Sequence, residues 1–399
     1  MSDNLGYAVL NRSELFGPHR ATNALGSALV SPELWTTEKC QVQDRSTLSH
    51  QDRTHLEDSA FTYGLAPESY DVACSEGAML RTPCGNGILN VHPDGRFWHI
   101  PGGMIAHPDL KSQMIEWLKE VSQKQRQTVL VYTVGTEELE QYRQAGYAIN
   151  KFGEEPILDL GNLTWRGAAF EWVRRQTNFC QRAGLEVVEI IGTAAQRELA
   201  TQLDEIHDED LSDRVYSKPL KLLEGGFDPM TLCRRRLFLA RNRDTHEIQG
   251  FMAASPMEGG KAWSFETYRK RQSAPRGTIP FLFREVIDRM QAEGVERVSL
   301  CLVPGKGAQH DLTPHSDSRM RWLLATWYRH LNFIFNTAGQ DFFKSRFRPR
   351  YQDRYVCVYP GNTLGSFVSF LKVSGAVKPN LRNLFQRWFR GTKQTPTHD

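Results

Sequence analysis

The sequence has no hydrophobic run long enough to cross a membrane. Its longest apolar stretches, such as Thr128–Val134 (TVLVYTV), are strand-sized, far below the ~18–20 residues of a spanning helix. Cys-x-x-Cys and His-Glu-x-x-His spacings are missing, and the 12 His are spread without a cluster, so no zinc site is expected and no metal or other cofactor is assigned. The 7 Cys (Cys40, Cys74, Cys84, Cys180, Cys233, Cys301 and Cys357) are odd in number and scattered, which points to reduced thiols in a cytoplasm rather than to disulfide staples. Neither sign of charge is in excess. Lys+Arg of 49 against Asp+Glu of 46 gives a net +3, which does not mark a DNA-binding protein. The opening MSDNLGYAVLNRSELFG also lacks the basic start and apolar core of a secretory signal.

What is present is a 399-residue chain with 40% hydrophobic and 24% charged residues, enough for two or three domains with sizeable cores. Its basic charge is concentrated late: from Asp341 onward there are 11 Lys/Arg and 3 Asp/Glu. Residues 1–66 are rich in Ser, Thr, Asn, Gln and Asp, and Ser46–Ser59 (STLSHQDRTHLEDS) offers little to bury; this segment is expected to be mostly disordered. Beyond it the pattern becomes periodic. Short β-prone runs flank a Pro93-Asp94-Gly95 turn, and a helix opening at Pro108 places Met114, Ile115, Leu118 and Val121 at helical spacing. Thr128–Val134 reads as a buried strand, Glu137–Gln144 as a short helix and Ile157–Leu160 as a strand. A similar order returns over residues 163–362: a basic helix at Trp165–Ala183, strands at Leu185–Ile191, Leu237–Arg241, Ile248–Ser255 and Ala262–Tyr268, a helix at Pro280–Glu293, then Val298–Val303, Arg319–His330 and Tyr355–Tyr359. The prediction is an α/β protein with mixed sheets, built as a duplicated acyltransferase-like unit. The first unit spans 67–162, the second 163–362, and a basic tail covers 363–399.

Several strings recur in a specific order. Gly102-Gly103-Met104-Ile105-Ala106-His107-Pro108, Ala145-Gly146-Tyr147 with Lys151–Leu160, and Arg182-Ala183-Gly184-Leu185 are followed by Gly226-Phe227-Asp228, Ser264–Lys270, Ala274–Phe283 and Phe343–Phe347 with Arg354-Tyr355. Together they resemble the catalytic domain of phosphatidylglycerol lysyltransferases over about residues 85–360. The resemblance implies two tandem GNAT-like folds and transfer of an aminoacyl group from a charged tRNA to a lipid hydroxyl. Aminoacyl-tRNA and an anionic lipid or membrane surface are then the partners. Where the family has Asp-x-x-Arg this chain has Glu266 and Arg269, and the family's Pro-Asn-Gly-Thr-Met-Asp becomes Pro275-Arg276-Gly277-Thr278-Ile279-Pro280.

Acyl transfer between two oxygens needs positioning of both esters, removal of a proton and stabilisation of an oxyanion. The expected catalytic residues are Glu266 as base or orienting carboxylate, Arg269 for a bidentate phosphate contact, and Lys344. The ordinary alternative is that Glu266 and Arg269 form a surface ion pair. Arg346 and Arg354, in a run where cations alternate with Phe343, Phe347, Tyr351 and Tyr355, suit an anionic ligand flanked by stacking surfaces; they suit a solvated strand edge equally. Arg174, Asn178 and Arg182 at i, i+4 and i+8 share one helix face that can track a tRNA backbone, or simply be the wet side of that helix.

In the tail, Leu381, Leu384, Phe385, Trp388 and Phe389 form an apolar face beside Arg382, Arg387 and Arg390, the pattern of a helix lying on anionic lipid or docking on its own core. Two rival functions remain. An acetyl-CoA-dependent N-acyltransferase needs a Gln/Arg-x-x-Gly-x-Gly/Ala loop opening a helix, which neither candidate helix carries. A non-catalytic lipid- or RNA-binding module is the other.

Overall fold

In the computed structural model the described residues are 40–74, 76–212, 221–222, 234–311, 313–314, 316–330 and 337–376. The strands are β1 (Gln43–Asp44), β2 (Ala78–Arg81), β3 (Ile88–Asp94), β4 (Phe97–Ile100), β5 (Thr128–Val134), β6 (Ala148–Asp159), β7 (Leu185–Ile190), β8 (Arg236–Asn242), β9 (Ile248–Met257), β10 (Ala262–Lys270), β11 (Arg297–Ser299), β12 (Val303–Pro304) and β13 (Arg350–Tyr359). The helices are α1 (His50–Tyr63), α2 (Pro108–Gln125), α3 (Leu139–Gln144), α4 (Glu171–Arg182), α5 (Thr193–Glu198), α6 (Ala200–Ser212), α7 (Thr278–Ala292), α8 (Ser318–His330), α9 (Thr337–Ser345) and α10 (Leu364–Val373). None is long and apolar enough to cross a membrane among the described residues.

Local chemistry accounts for these elements. All seven residues of β5 are buried, as a β-branched run between two paired neighbours requires. Pro108 sits in the first turn of α2 with Asp109, and the helix buries Met114, Ile115, Leu118 and Val121. Gly277 opens α7 with φ +96°, and a Cβ there would meet Gln176 Oε1 at 2.5 Å, so no other residue fits comfortably.

One motif occurs twice. β3 pairs antiparallel with β4, and β4 pairs parallel with β5 across α2. Likewise β9 pairs antiparallel with β10, and β10 pairs parallel with β11 across α7. These repeats match the duplicated α/β order that the sequence predicted. They merge into one sheet of order β1-β2-β3-β4-β5-β13-β6-β11-β10-β9-β8-β7, with β12 attached to β6. The divide at 162/163 therefore does not separate two sheets, because β13, from the second stretch of chain, lies between β5 and β6 of the first.

The N-terminal expectation is corrected in part. Residues 1–39 lie outside the described residues, but 43–63 hold β1 and α1. Leu56, Ala60 and Phe61 give α1 a narrow apolar stripe that packs with Tyr70, Val72, Met79, Ile88 and Ile105; three well-spaced side chains suffice where average composition suggests none. In the tail, α10 docks through Phe367, Phe370 and Leu371 onto a cluster containing Tyr132, Phe152 and Trp327. It is also tied down by Ser369, whose hydroxyl meets His99 Nε2 at 2.8 Å and Asp94 Oδ2 at 2.7 Å. The amphipathic stretch 381–390 lies outside the described residues.

Candidate active site

The alternation along β10 sets up the site. Trp263 and Phe265 point into a core with Phe283, Val286 and Val173, beneath α7 and α4. The residues between them, Ser264 and Glu266, face the other side of the sheet. In register beside them stand Ser255 on β9 and Ser299 on β11, and Ser299 continues through Ile157 on β6 to Arg350 on β13. Ser255, Ser264 and Ser299 thus form a short polar row on one face of the sheet. The 3₁₀ segment Pro67–Ala73 covers it, lying so close to the 102–103 loop that a Cβ on Gly102 would meet Ser69 N at 2.5 Å.

β10 and β11 stay paired only from Ala262/Arg297 to Ser264/Ser299, and the β9–β10 register slips between Phe265 and Thr267. Glu266 is therefore the extra residue of a bulge at the point where two parallel strands part company, the kind of position that re-aims a side chain. Its carboxylate accepts from Ser255 Oγ at 2.8 Å and Ser264 Oγ at 3.0 Å, and faces Arg235 Nη2 at 3.4 Å. Arg235 in turn donates to Asp71 Oδ1 at 2.8 Å, to Ser255 Oγ at 2.8 Å and to Cys74 Sγ at 3.5 Å. Burial pushes the Glu266 carboxyl up to about 8; Arg235 and the two hydroxyls pull it down, Asp71 pushes it further up. Burial outweighs the pull of Arg235 on the carboxylate. Glu68, in the covering segment, is likewise raised to about 7 by burial, with Glu155 and Asp71 adding to the effect. The result is a carboxyl poised near neutral pH, which suits proton transfer.

The other predicted residues fall in different places. Lys344 reaches from α9 to donate to the carbonyls of Cys301 at 2.9 Å and Leu302 at 3.2 Å, just past the end of β11. The Cys301 thiol feels both Lys344 and Glu266, and burial raises it well above the usual thiol value. Arg354, four residues along β13 from Arg350, is buried and ion-paired with Glu155, whose carboxylate also accepts from Ser299 Oγ. Arg269 pairs with Asp210 on α6 at 3.8 Å and donates to Tyr268 O at 3.0 Å, and the partner of Glu266 is Arg235 rather than the Arg269 expected of a surface pair. Arg346 stacks its guanidinium 4.6 Å from the Phe342 ring and 5.6 Å from Trp172. Arg174 turns inward to the carbonyls of Trp165 and Gly167. Asn178 and Arg182 are exposed and line a cleft of about 690 Å³ with Gln181, Arg243 and Glu285. Because α4 packs on α7, these three lie across the sheet from Glu266. The Gly226-Phe227-Asp228 block is outside the described residues.

Sequence reasoning missed Arg235, Ser255, Ser264 and Asp71. A signal existed for one of them: Ser264, together with the expected Glu266, alternates with Trp263 and Phe265, the mark of a strand with one apolar and one polar buried face. Arg235 was hidden in the run Arg234-Arg235-Arg236, which reads as solvated charge.

The family of phosphatidylglycerol lysyltransferase C-terminal domains matches residues 74–358. The chain belongs to this family. The phosphatidylglycerol lysyltransferase of Bacillus subtilis is 25% identical over 256 residues, 64% of this chain and 29% of the relative. The lysylphosphatidylglycerol biosynthesis bifunctional protein LysX of Mycobacterium marinum is 25% identical over 228 residues, 54% of this chain and 19% of its own length. The chain thus spans less than a third of these curated relatives. Among solved structures, L-PGS from Bacillus licheniformis superposes with TM-score 0.67 at 20% identity, covering 82% of this chain and 96% of that one. A C-terminal domain from an Agrobacterium fabrum protein assigned as a lysylphosphatidylglycerol synthetase gives the same TM-score of 0.67 at 18% identity, over 83% and 98%. At these identities the structures establish the fold of the lysyltransferase domain, and the family match rests on the sequence.

Proposed function

We propose that this chain transfers an aminoacyl group from aminoacyl-tRNA to a hydroxyl of phosphatidylglycerol or a related lipid. The observation that carries the reading is Glu266, a buried carboxyl at the parting of β10 and β11, in the place of the family's Asp-x-x-Arg block. In this reading Glu266 takes the proton from the acceptor hydroxyl as its oxygen bonds to the ester carbonyl carbon. The tetrahedral intermediate then collapses, the bond to the terminal ribose oxygen breaks, and Glu266 returns the proton to that oxygen. Arg235, Ser255 and Ser264 hold the carboxylate in place, and the nearby guanidinium and Lys344 favour negative charge developing on the carbonyl oxygen. Arg346, Asn178 and Arg182 are solvent-accessible groups suited to phosphates of the tRNA. Basic residues of the 381–390 stretch suit a peripheral contact with anionic lipid.

The test is to incubate the purified protein with a pool of radiolabelled aminoacyl-tRNAs and vesicles containing phosphatidylglycerol. Label entering the organic phase, lost on ribonuclease pretreatment, supports the reading. Transfer from acetyl-CoA instead, or lipid binding with no transfer from any charged tRNA, would replace it with one of the two rival functions.

A further inference from the structure

Residues 40–73 precede the stretch that the family matches, yet they build one wall of the site. Tyr70 bonds Glu57 of α1 and accepts from Arg234 N at 3.1 Å, while Arg234 pairs with Glu57 and with Asp58 at 2.6 Å. Asp71 is held by its own carbonyl, which accepts from Arg45 Nη1 at 2.7 Å and Cys74 N at 3.1 Å. Its carboxylate then takes the same Arg235 nitrogen, Nη2, that faces Glu266, at 2.8 Å against 3.4 Å. Two carboxylates therefore share one buried guanidinium, and the one from the covering segment is the closer.

We infer that Asp71 is a positioning residue: it draws Arg235 away from Glu266 and so keeps Glu266 free to accept a proton. Were Arg235 wholly engaged by Glu266, the carboxylate would be a spent base, its lone pairs committed to a fixed cation. With Asp71 neutralising that cation, Glu266 keeps two hydroxyl donors and a weakened ion pair. The segment Pro67–Ala73 thus tunes the site as well as roofing it. The inference rests on the reading of Glu266 as proton acceptor. The groups that surround Glu266 are Arg235 at the entry to β8, Ser255 on β9, Ser264 on its own strand and Asp71 from the covering segment, with Cys74 on Arg235 and, beyond β11, Cys301, whose thiol also feels Glu68, Glu155 and Lys344. Of the carboxylates among them, Asp71 is the one that contacts Arg235.

The experiment is an infrared titration of the full chain, isolating the Glu266 carboxyl band by subtracting the spectrum of Glu266→Gln. Asp71→Asn and Asp71→Ser, made in parallel so that either folded variant carries the test, are expected to lower the Glu266 midpoint by about one pH unit. Asp71→Glu, which keeps the charge, is expected to restore most of the shift. The acid limb of kcat/KM for aminoacyl transfer should move with the infrared midpoint. Midpoints that agree with wild type to within about 0.3 unit, or a uniform loss of kcat at every pH with no shift of the limb, would overturn the inference and make Asp71 a purely structural residue. The titration needs no turnover: a midpoint that shifts in a protein transferring no aminoacyl group from any tRNA would uphold the role of Asp71 while refuting the proposed reaction.

Discussion

Arg354 was expected to bind substrate, and its surroundings allow a quantitative test of that expectation. The Arg354 and Glu155 side chains are 6% and 1% exposed, joined through Arg354 Nε, with Ser299 completing the carboxylate's partners. Replacing Arg354 by Met preserves volume but strands Glu155, leaving a charged group in a nearly dry site with one neutral hydroxyl donor. Removing one member of a buried pair costs about 3–5 kcal/mol, whereas replacing both by apolar residues is often close to neutral. The Arg354→Met variant should therefore lose about 3–5 kcal/mol in urea unfolding followed by tryptophan fluorescence, and the double variant Glu155→Leu/Arg354→Met should recover most of that loss. Such a result would assign Arg354 to holding β6, β11 and β13 in register, with substrate binding secondary. A loss below about 1 kcal/mol together with a tenfold rise in KM for either substrate would refute the reasoning and return Arg354 to the binding site.

Two further predictions concern proton transfer and membrane contact. Glu266→Gln should reduce turnover roughly 100-fold or more, and wild-type kcat/KM should climb about tenfold per pH unit below pH 8 and level off above it. Because folding raises this carboxyl from 4.5 to about 8, the stability it contributes is full below 4.5 and lost as pH rises through 8. Glu266→Gln should accordingly raise the melting temperature above pH 8 and change it little near pH 5; a flat rate profile, or a variant that melts no higher than wild type above pH 8, would count against the assignment. Deleting residues 377–399 leaves α10 and its contacts intact and should abolish sedimentation with anionic liposomes, while transfer to a short-chain soluble acceptor persists; unchanged sedimentation, or precipitation of the truncated protein, would refute a membrane role for the tail.

The repeating strand-helix order and the position of Glu266 were legible because both rest on local patterns. β5 is a seven-residue apolar run, α2 carries its Pro and its 3-4 spacing, and the blocks around 102–108 and 264–283 keep their order. What was not legible depended on contacts distant in sequence. Asp71 and Glu266 are 195 positions apart and meet only because Arg235 lies between them. Arg174 has the spacing of a surface stripe, yet its guanidinium turns to carbonyls of the preceding loop, a choice of rotamer that spacing does not encode. α1 was obscured by composition, since three buried apolar side chains, Leu56, Ala60 and Phe61, among polar neighbours carry little weight in an average over 66 residues.

The placement of β13 has a consequence for how the chain comes into being. A ribosome releases β5 and β6 some two hundred residues before it releases β13, which pairs with both. Through that interval the amino-terminal half has two open strand edges and lacks the segment that joins them, so it has no finished state to reach. Such edges invite pairing with other chains, and closure over so long a loop is slow compared with local pairing. The last-made part of the polypeptide is thus what licenses the first-made part to fold. A nascent chain halted anywhere before residue 350 would be a client for chaperones rather than a half-assembled protein.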